Sequence, residues 1–255
     1  MAFRGRVALV TGAASGMGQL SAWRLAAESV AVAALDVDEA GLARTTRHAP
    51  MITPFPCDVG DPDAVEQAVK EIEATLGPID RVVNAAAIAP TGTLLDQPVD
   101  EIVRVMAINY GGLVTVTKAT LPLMIERGRG DLVQFGSLAG WLPSPHFGAY
   151  SATKAAVVSF SETLAYECRG TGVRFVCVCP PLVDTPMADR IAAGSTSKGF
   201  DQQRRIRPEQ VLDDIEDALD AGRLFTFPGR GTPSLWRARR FAPKLMWKLI
   251  DRAEG

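Results

Sequence analysis

Three side chains near the middle of the chain have types and a spacing suited to proton transfer. Tyr150 and Lys154 are four residues apart, so a helix would place them on one face, where an ammonium favours loss of the phenol proton. Ser137 follows the β-like run 131–136 and can bring a hydroxyl beside the phenol. The pair alone does not exclude the alternative that Tyr150 and Lys154 are ordinary surface neighbours.

A glycine-rich turn between a strand and a helix indicates a dinucleotide site. The apolar run 6–10 precedes the turn, and a helical pattern follows it. Glycine permits positive φ and a close backbone approach, and the N-terminus of a helix favours a pyrophosphate. The residues predicted to make this contact are Gly12, Ser15, Gly16, Met17 and Gly18. The alternative is an ordinary tight turn.

The second strand, at 30–35, ends at an acid that can select the coenzyme. Asp36 follows the glycine-rich turn by about 20 residues, the sequence offset at which a carboxylate accepts hydrogen bonds from the ribose in dinucleotide sites. Its charge would repel a 2′-phosphate, and neither Ser15 nor Val37 offers a compensating positive charge. We therefore expect NAD(H) to be preferred over NADP(H). The alternative is that Asp36 caps the helix that starts near Asp38.

Together these features resemble the short-chain dehydrogenase/reductase family over residues 1 to about 229. The residues that carry the resemblance are 11–18, 57–59, 84–87, Asn109, Ser137, Tyr150, Lys154 and 180–185. The resemblance implies a catalytic tetrad of Asn109, Ser137, Tyr150 and Lys154. It also implies cofactor contacts by Asp58, Val59, Asn84, Tyr150, Lys154, Pro180, Val183 and Thr185, with Thr185 at the nicotinamide amide.

Two parts of the chain depart from the pattern of the family. Ala86 and Ala87 replace glycines in the turn after the fourth strand, where a methyl group would narrow the cleft or require negative φ. Pro181 replaces the glycine that follows Pro180, and proline fixes φ at about −65° and removes a hydrogen-bond donor. We therefore expect the path of the loop over the nicotinamide to differ from that of the family, and the tetrad to be unchanged.

Strands and helices alternate along the chain, which predicts an α/β fold with a single doubly wound, Rossmann-type domain. Seven parallel strands are expected, flanked by helices on both faces. The strand at 51–57 is placed at an edge because it contains Pro54 and Pro56. Separate helices are predicted at 99–109 and 111–127.

The predicted catalytic domain spans 1–229, and its substrate lid covers about 186–207. Residues 189–207 are polar and suit either a mobile lid or a disordered loop. The residues expected around the substrate are Leu138, Trp141, His146, Leu182 and Met187. Most are apolar, so we expect a hydrophobic secondary alcohol or ketone. Trp141 can equally pack beneath its loop, and a plain loop residue is the favoured interpretation of His146.

These features predict an NAD-dependent alcohol dehydrogenase or ketone reductase. Tyr150 would remove the hydroxyl proton while a hydride passes to NAD⁺, and would return the proton in the reverse direction. Ser137 would position the substrate oxygen, and the resemblance implies that Lys154 holds the nicotinamide ribose and Asn109 orders a water. The alternatives are an NAD-dependent epimerase or dehydratase and a catalytically weak NAD-binding sensor or scaffold protein.

Composition and charge give no case for nucleic-acid binding, because the 255 residues have a net charge of only −2. The four cysteines lack zinc spacing, so no metal site is expected, and unpaired thiols suit the cytoplasm. Small residues on the helix of Tyr150 favour a homodimer or homotetramer, which the family resemblance also implies. These small residues are Ala152, Ala155, Ala156 and Ser159.

The segment 230–255 is a basic tail, amphipathic from residue 232 onward. Residues 232–255 hold six basic and two acidic side chains, with apolar residues along one side. Packing against protein is the favoured interpretation, because most amphipathic helices cover a core. Peripheral contact with an anionic membrane through 232–255 is the minority alternative to a purely cytoplasmic location. Thr232 is predicted to cap a helix whose first residue is Pro233.

Overall fold

Seven parallel strands form one sheet in this computed structural model, which describes residues 5–142, 144–194, 204–234 and 241–242. The strands are β1 (Val7–Thr11), β2 (Ala31–Asp36), β3 (Ile52–Pro56), β4 (Arg81–Asn84), β5 (Gly130–Phe135), β6 (Val173–Val178) and β7 (Phe225–Thr226). Their order across the sheet is β3-β2-β1-β4-β5-β6-β7. The predicted doubly wound sheet of seven strands is therefore confirmed, with β3 at an edge.

Helices follow the strands in alternation and cover both faces of the sheet. They are α1 (Gly16–Ala27), α2 (Glu39–Thr46), α3 (Pro62–Thr75), α4 (Val99–Met106), α5 (Leu113–Glu126), α6 (Gly148–Glu167), α7 (Pro186–Gly194) and α8 (Pro208–Asp220). A π-helical turn (Ala107–Gly112) joins α4 to α5, and a 3₁₀ turn (Leu138–Gly140) follows β5.

The strands alternate their side chains between two separate cores, as a pleated strand must. In β1, Ala8 and Val10 pack with α1 and α8, whereas Val7 and Leu9 pack with α3 and α5. All four side chains are almost completely buried. Both faces of the central strands are thus covered by helices, which leaves the ends of the strands to form a site.

The helices predicted at 99–109 and 111–127 are one continuous helical stretch, so the predicted break is wrong. Gly112 lies inside this stretch, where it permits close packing. A Cβ at Gly112 would lie 2.5 Å from Cγ2 of Val59. The extra residue of the π-helical turn places Asn109 in the interior, where it is 1% exposed.

The predicted lid is partly regular structure, because α7 occupies its first nine residues. Residues 195–203 lie outside the described residues, so their role as a lid stays a prediction. The chain is helical again at 232–234. Thr232 is buried and its hydroxyl donates to the carbonyl of Pro228 at 2.8 Å. Because residue 235 lies outside the described residues, the predicted cap by Thr232 stays a prediction.

Most of the tail, at 235–240 and 243–255, also lies outside the described residues. Its packing and its membrane contact therefore stay predictions, as does the domain boundary at 229. In the part of the chain that the structure describes, no helix has both the length and the hydropathy needed to cross a bilayer.

Candidate active site

A cavity of about 580 Å³ opens at the carboxyl ends of the strands. Its lining includes 14 of the 16 residues predicted as catalytic or cofactor contacts: Gly12, Ser15, Gly16, Met17, Gly18, Asp36, Asp58, Val59, Ser137, Tyr150, Lys154, Pro180, Val183 and Thr185. We call the part lined by residues 12–18, 36–38 and 57–59 the glycine-turn half. We call the part lined by Ser137, Leu138, Leu142, Tyr150, Leu182, Met187, Arg190 and Ile191 the tyrosine half.

The turn after β1 fits a phosphate group. Gly12 and Gly16 have φ of 66° and 55°, a region in which side chains other than glycine are strained. Ser15 is the N-cap of α1 but its side chain makes no capping hydrogen bond. The start of α1 therefore presents its amide groups and its positive dipole end to the cavity.

Close backbone contacts fix this turn and explain its glycines. A Cβ at Gly18 would lie 2.2 Å from the carbonyl oxygen of Gly12, and a Cβ at Gly12 would lie 2.9 Å from Cα of Ala86. Thr11 Oγ1 accepts hydrogen bonds from the amides of Ala85 and Ala86, each at 3.1 Å. The turn after β1 and the turn after β4 are thus held together as one wall.

Ala86 and Ala87, which replace glycines of the family pattern, fit this wall without strain. Neither is among the residues with positive φ, and both line the cavity. Pro180 and Pro181 line it as well, and the carbonyl of Pro180 accepts from the amide of Leu138 at 2.9 Å. The departures from the pattern therefore leave an open cavity.

Asp36 is available to a ligand, because a different acid caps α2. Asp38 is the N-cap of α2 and accepts from the amide of Gly41 at 2.9 Å. The carboxylate of Asp36 accepts from the amides of Ala14 and Asp38, each at 3.0 Å, and lines the cavity. These two bonds orient a half-buried negative charge beside the glycine-rich turn.

Ser137 and Tyr150 meet because the 3₁₀ turn lies directly against α6. A Cβ at Gly140 would lie 2.6 Å from the carbonyl oxygen of Lys154, so only glycine permits this approach. Ser137 makes a hydrogen bond with Tyr150, which lowers the pKa of the phenol. Burial has the larger effect and raises the pKa of Tyr150 to about 12.

Lys154 is buried behind the phenol and held by the backbone. Its Nζ donates to the carbonyl of Phe135 at 2.7 Å and lies 5.6 Å from the centre of the Tyr150 ring. Burial lowers the pKa of Lys154 to about 8, partly offset by the neighbouring Cys177 and Cys179. The pKa of the phenol is thus raised by burial, opposite to the direction expected from the charge of Lys154.

Two predicted residues, Asn84 and Asn109, lie behind the lining of the cavity and hold its surrounding segments in place. Asn109 Oδ1 accepts from the amide of Ile88 at 2.8 Å, and its Nδ2 donates to the carbonyl of Ile88 and to Thr153 Oγ1. Asn84 Nδ2 donates to Thr117 Oγ1 and Gln134 Oε1. Asn84 is 4% exposed and does not line the cavity, so its side chain lies within the wall, and its predicted contact with a cofactor stays a prediction.

The predicted substrate residues divide into two groups. Leu138, Leu182 and Met187 line the cavity, whereas Trp141 and His146 do not. Trp141 packs edge-on against Phe225 and its Nε1 donates to Cys179 Sγ at 3.3 Å.

His146 has φ of 61°, and its carbonyl accepts from the amide of Gly92. The structure thus places Trp141 and His146 in the loop between β5 and α6 rather than in the lining of the cavity, and their contact with a substrate stays a prediction.

The fold and the site agree with comparisons to known proteins. A family described as short chain dehydrogenase matches residues 6–196. The chain belongs to the short-chain dehydrogenase/reductase family. It is 37% identical to 2-dehydro-3-deoxy-L-rhamnonate dehydrogenase (NAD(+)) of Sphingomonas sp. strain SKA58, with 87% of this chain and 83% of that protein covered.

Two further comparisons support this family. The chain is 33% identical to 1-deoxy-11-beta-hydroxypentalenate dehydrogenase of Streptomyces exfoliatus, covering 87% of this chain and 82% of the relative. A crystal structure of a short-chain dehydrogenase/reductase from Burkholderia phymatum in complex with NAD has a TM-score of 0.86 and 25% identity, covering 96% of each chain.

For this short-chain dehydrogenase/reductase, sequence reasoning missed several residues that line the cavity. They include Arg104, Ile108, Ser144, Phe147, Arg190 and Ile191. The helical spacing from Met187 to Arg190 and Ile191 was the signal that pointed to two of them. The polar composition of 189–207 indicates a loop instead and so conceals this helical spacing.

Proposed function

We propose that this protein oxidises a hydrophobic secondary alcohol, or reduces the corresponding ketone, with NAD(H) as the hydride carrier. The observation that carries the proposal is a single cavity lined by the glycine-rich turn at one end and by Ser137, Tyr150 and Lys154 at the other. Family membership makes the protein an oxidoreductase. The apolar side chains Leu138, Leu142 and Leu182 support a hydrophobic substrate.

The residues of the glycine-turn half fit a dinucleotide. The Gly12–Gly18 contact leaves no room for a Cβ, and the uncapped start of α1 suits a pyrophosphate. Asp36 would accept from the ribose hydroxyls and repel a 2′-phosphate, which supports NAD(H) over NADP(H). One relative is named for NAD(+), and the Burkholderia structure contains NAD.

The chemistry follows from the protonation states in the tyrosine half. Bound NAD(H) would give or accept the hydride and, when oxidised, add a positive charge. With its pKa raised to about 12, Tyr150 holds its proton at neutral pH and can donate it to a developing alkoxide. For oxidation Tyr150 must begin as the phenolate in order to accept the hydroxyl proton, and the ammonium of Lys154 favours the phenolate below the lysine pKa of about 8. Ser137 positions the substrate oxygen beside the phenol.

An assembly of identical subunits also stays a prediction. Ala152, Ala155 and Ser159 are exposed along one side of α6, so this side is smooth enough for close approach of a second helix. A homodimer or homotetramer is expected on these grounds and on family membership.

A screen of secondary alcohols with NAD⁺ and with NADP⁺, followed by the absorbance of the reduced coenzyme, tests the proposed function. We expect turnover of apolar alcohols, faster with NAD⁺. Turnover only with NADP⁺ would contradict the assignment of Asp36. NADH binding without turnover of any alcohol or ketone would favour the sensor or scaffold alternative.

A further inference from the structure

Arg190 is a cation in the tyrosine half of the cavity whose charge the described residues leave unpaired. It lies on α7 three residues after Met187 and beside Ile191, and all three line the cavity. Residues three and four apart share a helix face, so the same face of α7 presents two apolar side chains and one guanidinium. Among residues 5–142, 144–194 and 204–234, no ion pair to Arg190 is formed.

The acids nearest to Arg190 along the chain are engaged elsewhere. Arg205 Nη1 lies 3.1 Å from Asp184 Oδ1 and 2.5 Å from Asp189 Oδ1. One guanidinium therefore holds both carboxylates that flank the start of α7. A cavity-facing cation whose neighbouring acids are held by a second cation is available to an anionic ligand.

Charge is distributed unevenly along the cavity. Its three lining acids, Asp36, Asp38 and Asp58, all lie in the glycine-turn half. The tyrosine half has apolar walls and no lining carboxylate among the described residues. In binding sites of this kind a few charged groups fix the orientation of a mostly apolar ligand. A guanidinium suits a planar carboxylate, to which it can donate two parallel hydrogen bonds.

We infer that Arg190 binds a carboxylate at the end of the substrate remote from the reacting carbon, so that the substrate is an apolar hydroxy acid or oxo acid. The inference rests on the proposed function, because it takes the reacting oxygen to lie beside Ser137 and Tyr150. Arg190 would then choose among apolar substrates by charge. The pyrophosphate of the coenzyme offers similar chemistry, and the experiment separates the two sources.

Binding of carboxylates to the NADH-bound protein tests this inference without requiring turnover. Hexanoate, octanoate and decanoate are compared with the amides of the same chain length by titration calorimetry. We expect the best carboxylate to bind about tenfold more tightly than its amide, as for a hydrogen bond to a charged group. Arg190→Gln should abolish the difference. Arg47→Gln, which removes an exposed charge away from the cavity, should preserve it.

Three results would overturn the inference. The first is that no carboxylate binds, or that carboxylates and amides bind equally. The second is that Arg190→Gln keeps the preference of the wild-type protein. The third is that Arg190→Gln weakens NADH binding about tenfold while the preference for carboxylates persists, which would assign Arg190 to the coenzyme. Failure of the proposed function is separate, since it appears as NADH binding without turnover of any alcohol.

Discussion

The two halves of the cavity are built from different parts of the chain. In the glycine-turn half, the shape comes from backbone atoms and from glycines that other residues cannot replace, such as Gly12 and Gly18. In the tyrosine half, the lining comes from side chains on the 3₁₀ turn, on α6 and on α7. A site made by backbone atoms can therefore be recognised from a short motif, whereas a site made by side chains depends on loop conformation.

Among the variants that compare the two halves of the cavity, the largest effect is expected from Gly18→Ala, which tests the glycine-turn half. The new methyl group would lie 2.2 Å from a carbonyl oxygen that cannot move without opening the turn. We expect the affinity for NADH, measured by fluorescence titration, to fall about a hundredfold. Gly111→Ala is the matched control, because its Cβ would meet only the oxygen of Met106, at 3.9 Å. An unchanged affinity in Gly18→Ala would contradict the account of the turn.

Asp36→Asn tests whether one charge in the glycine-turn half selects the coenzyme. Removing the negative charge should raise kcat/KM with NADP⁺ relative to NAD⁺ by about tenfold to a hundredfold. Glu39→Gln removes a charge three residues away, on an exposed side chain of α2 that does not line the cavity, so it should leave the ratio nearly unchanged. Equal changes of this ratio in the two variants would show that the overall charge of the region, rather than the position of Asp36, determines the choice of coenzyme.

Lys154→Met tests how burial of an ionisable group beside Tyr150 changes the pH dependence of the free energy of unfolding. The pKa of Lys154 is about 8 in the folded protein and 10.5 as the reference, so between these values the unfolded state binds more protons. The free energy of unfolding should therefore rise with pH in this window, by about 1.4 kcal/mol per pH unit from this residue.

Urea denaturation of both proteins across the same window measures the difference. The variant should lose the contribution of Lys154 to the slope, because the remaining groups are shared by the two proteins. Parallel curves for wild type and Lys154→Met would show that burial does not depress the pKa.

The smallest effects are expected from two variants that distinguish a residue packed beneath the loop, Trp141, from a residue that lines the cavity, Leu142. Trp141→Phe should lower the free energy of unfolding by about 1 kcal/mol through loss of the bond to Cys179, and leave KM unchanged. Leu142→Ala should instead raise KM for an apolar alcohol by about tenfold, because Leu142 lines the cavity. Thermal unfolding and steady-state kinetics of both variants provide the check, and a reversed pattern would contradict the placement of Trp141.

The sheet and the positions of Tyr150 and Lys154 on one helix could be predicted because local chemistry determines them. Prolines at 54 and 56 indicated the edge strand, and the spacing of Tyr150 and Lys154 indicated one helix face. Gly12 and Asp36 were recognised because strand ends of a parallel sheet meet at one edge. These features depend on residues near one another in sequence or on a general rule of the fold.

The rest depended on contacts between segments that are distant in sequence. Trp141 packs on Phe225, 84 residues later in the chain, and nothing near Trp141 indicates that partner. His146 takes a positive φ that is uncommon for a residue other than glycine. Arg190 was assigned to a lid, because the polar composition of 189–207 concealed the helix that presents this residue to the cavity.

In the proposed function, Tyr150 exchanges a proton with a substrate in the tyrosine half while the glycine-turn half holds NAD(H). The most direct measurement is the turnover of Tyr150→Phe, with NADH binding measured on the same sample and Tyr166→Phe, on the exposed side of α6, as control. We predict that kcat falls about a thousandfold while NADH affinity stays within about twofold of wild type. Turnover near the wild-type rate in Tyr150→Phe would contradict the account.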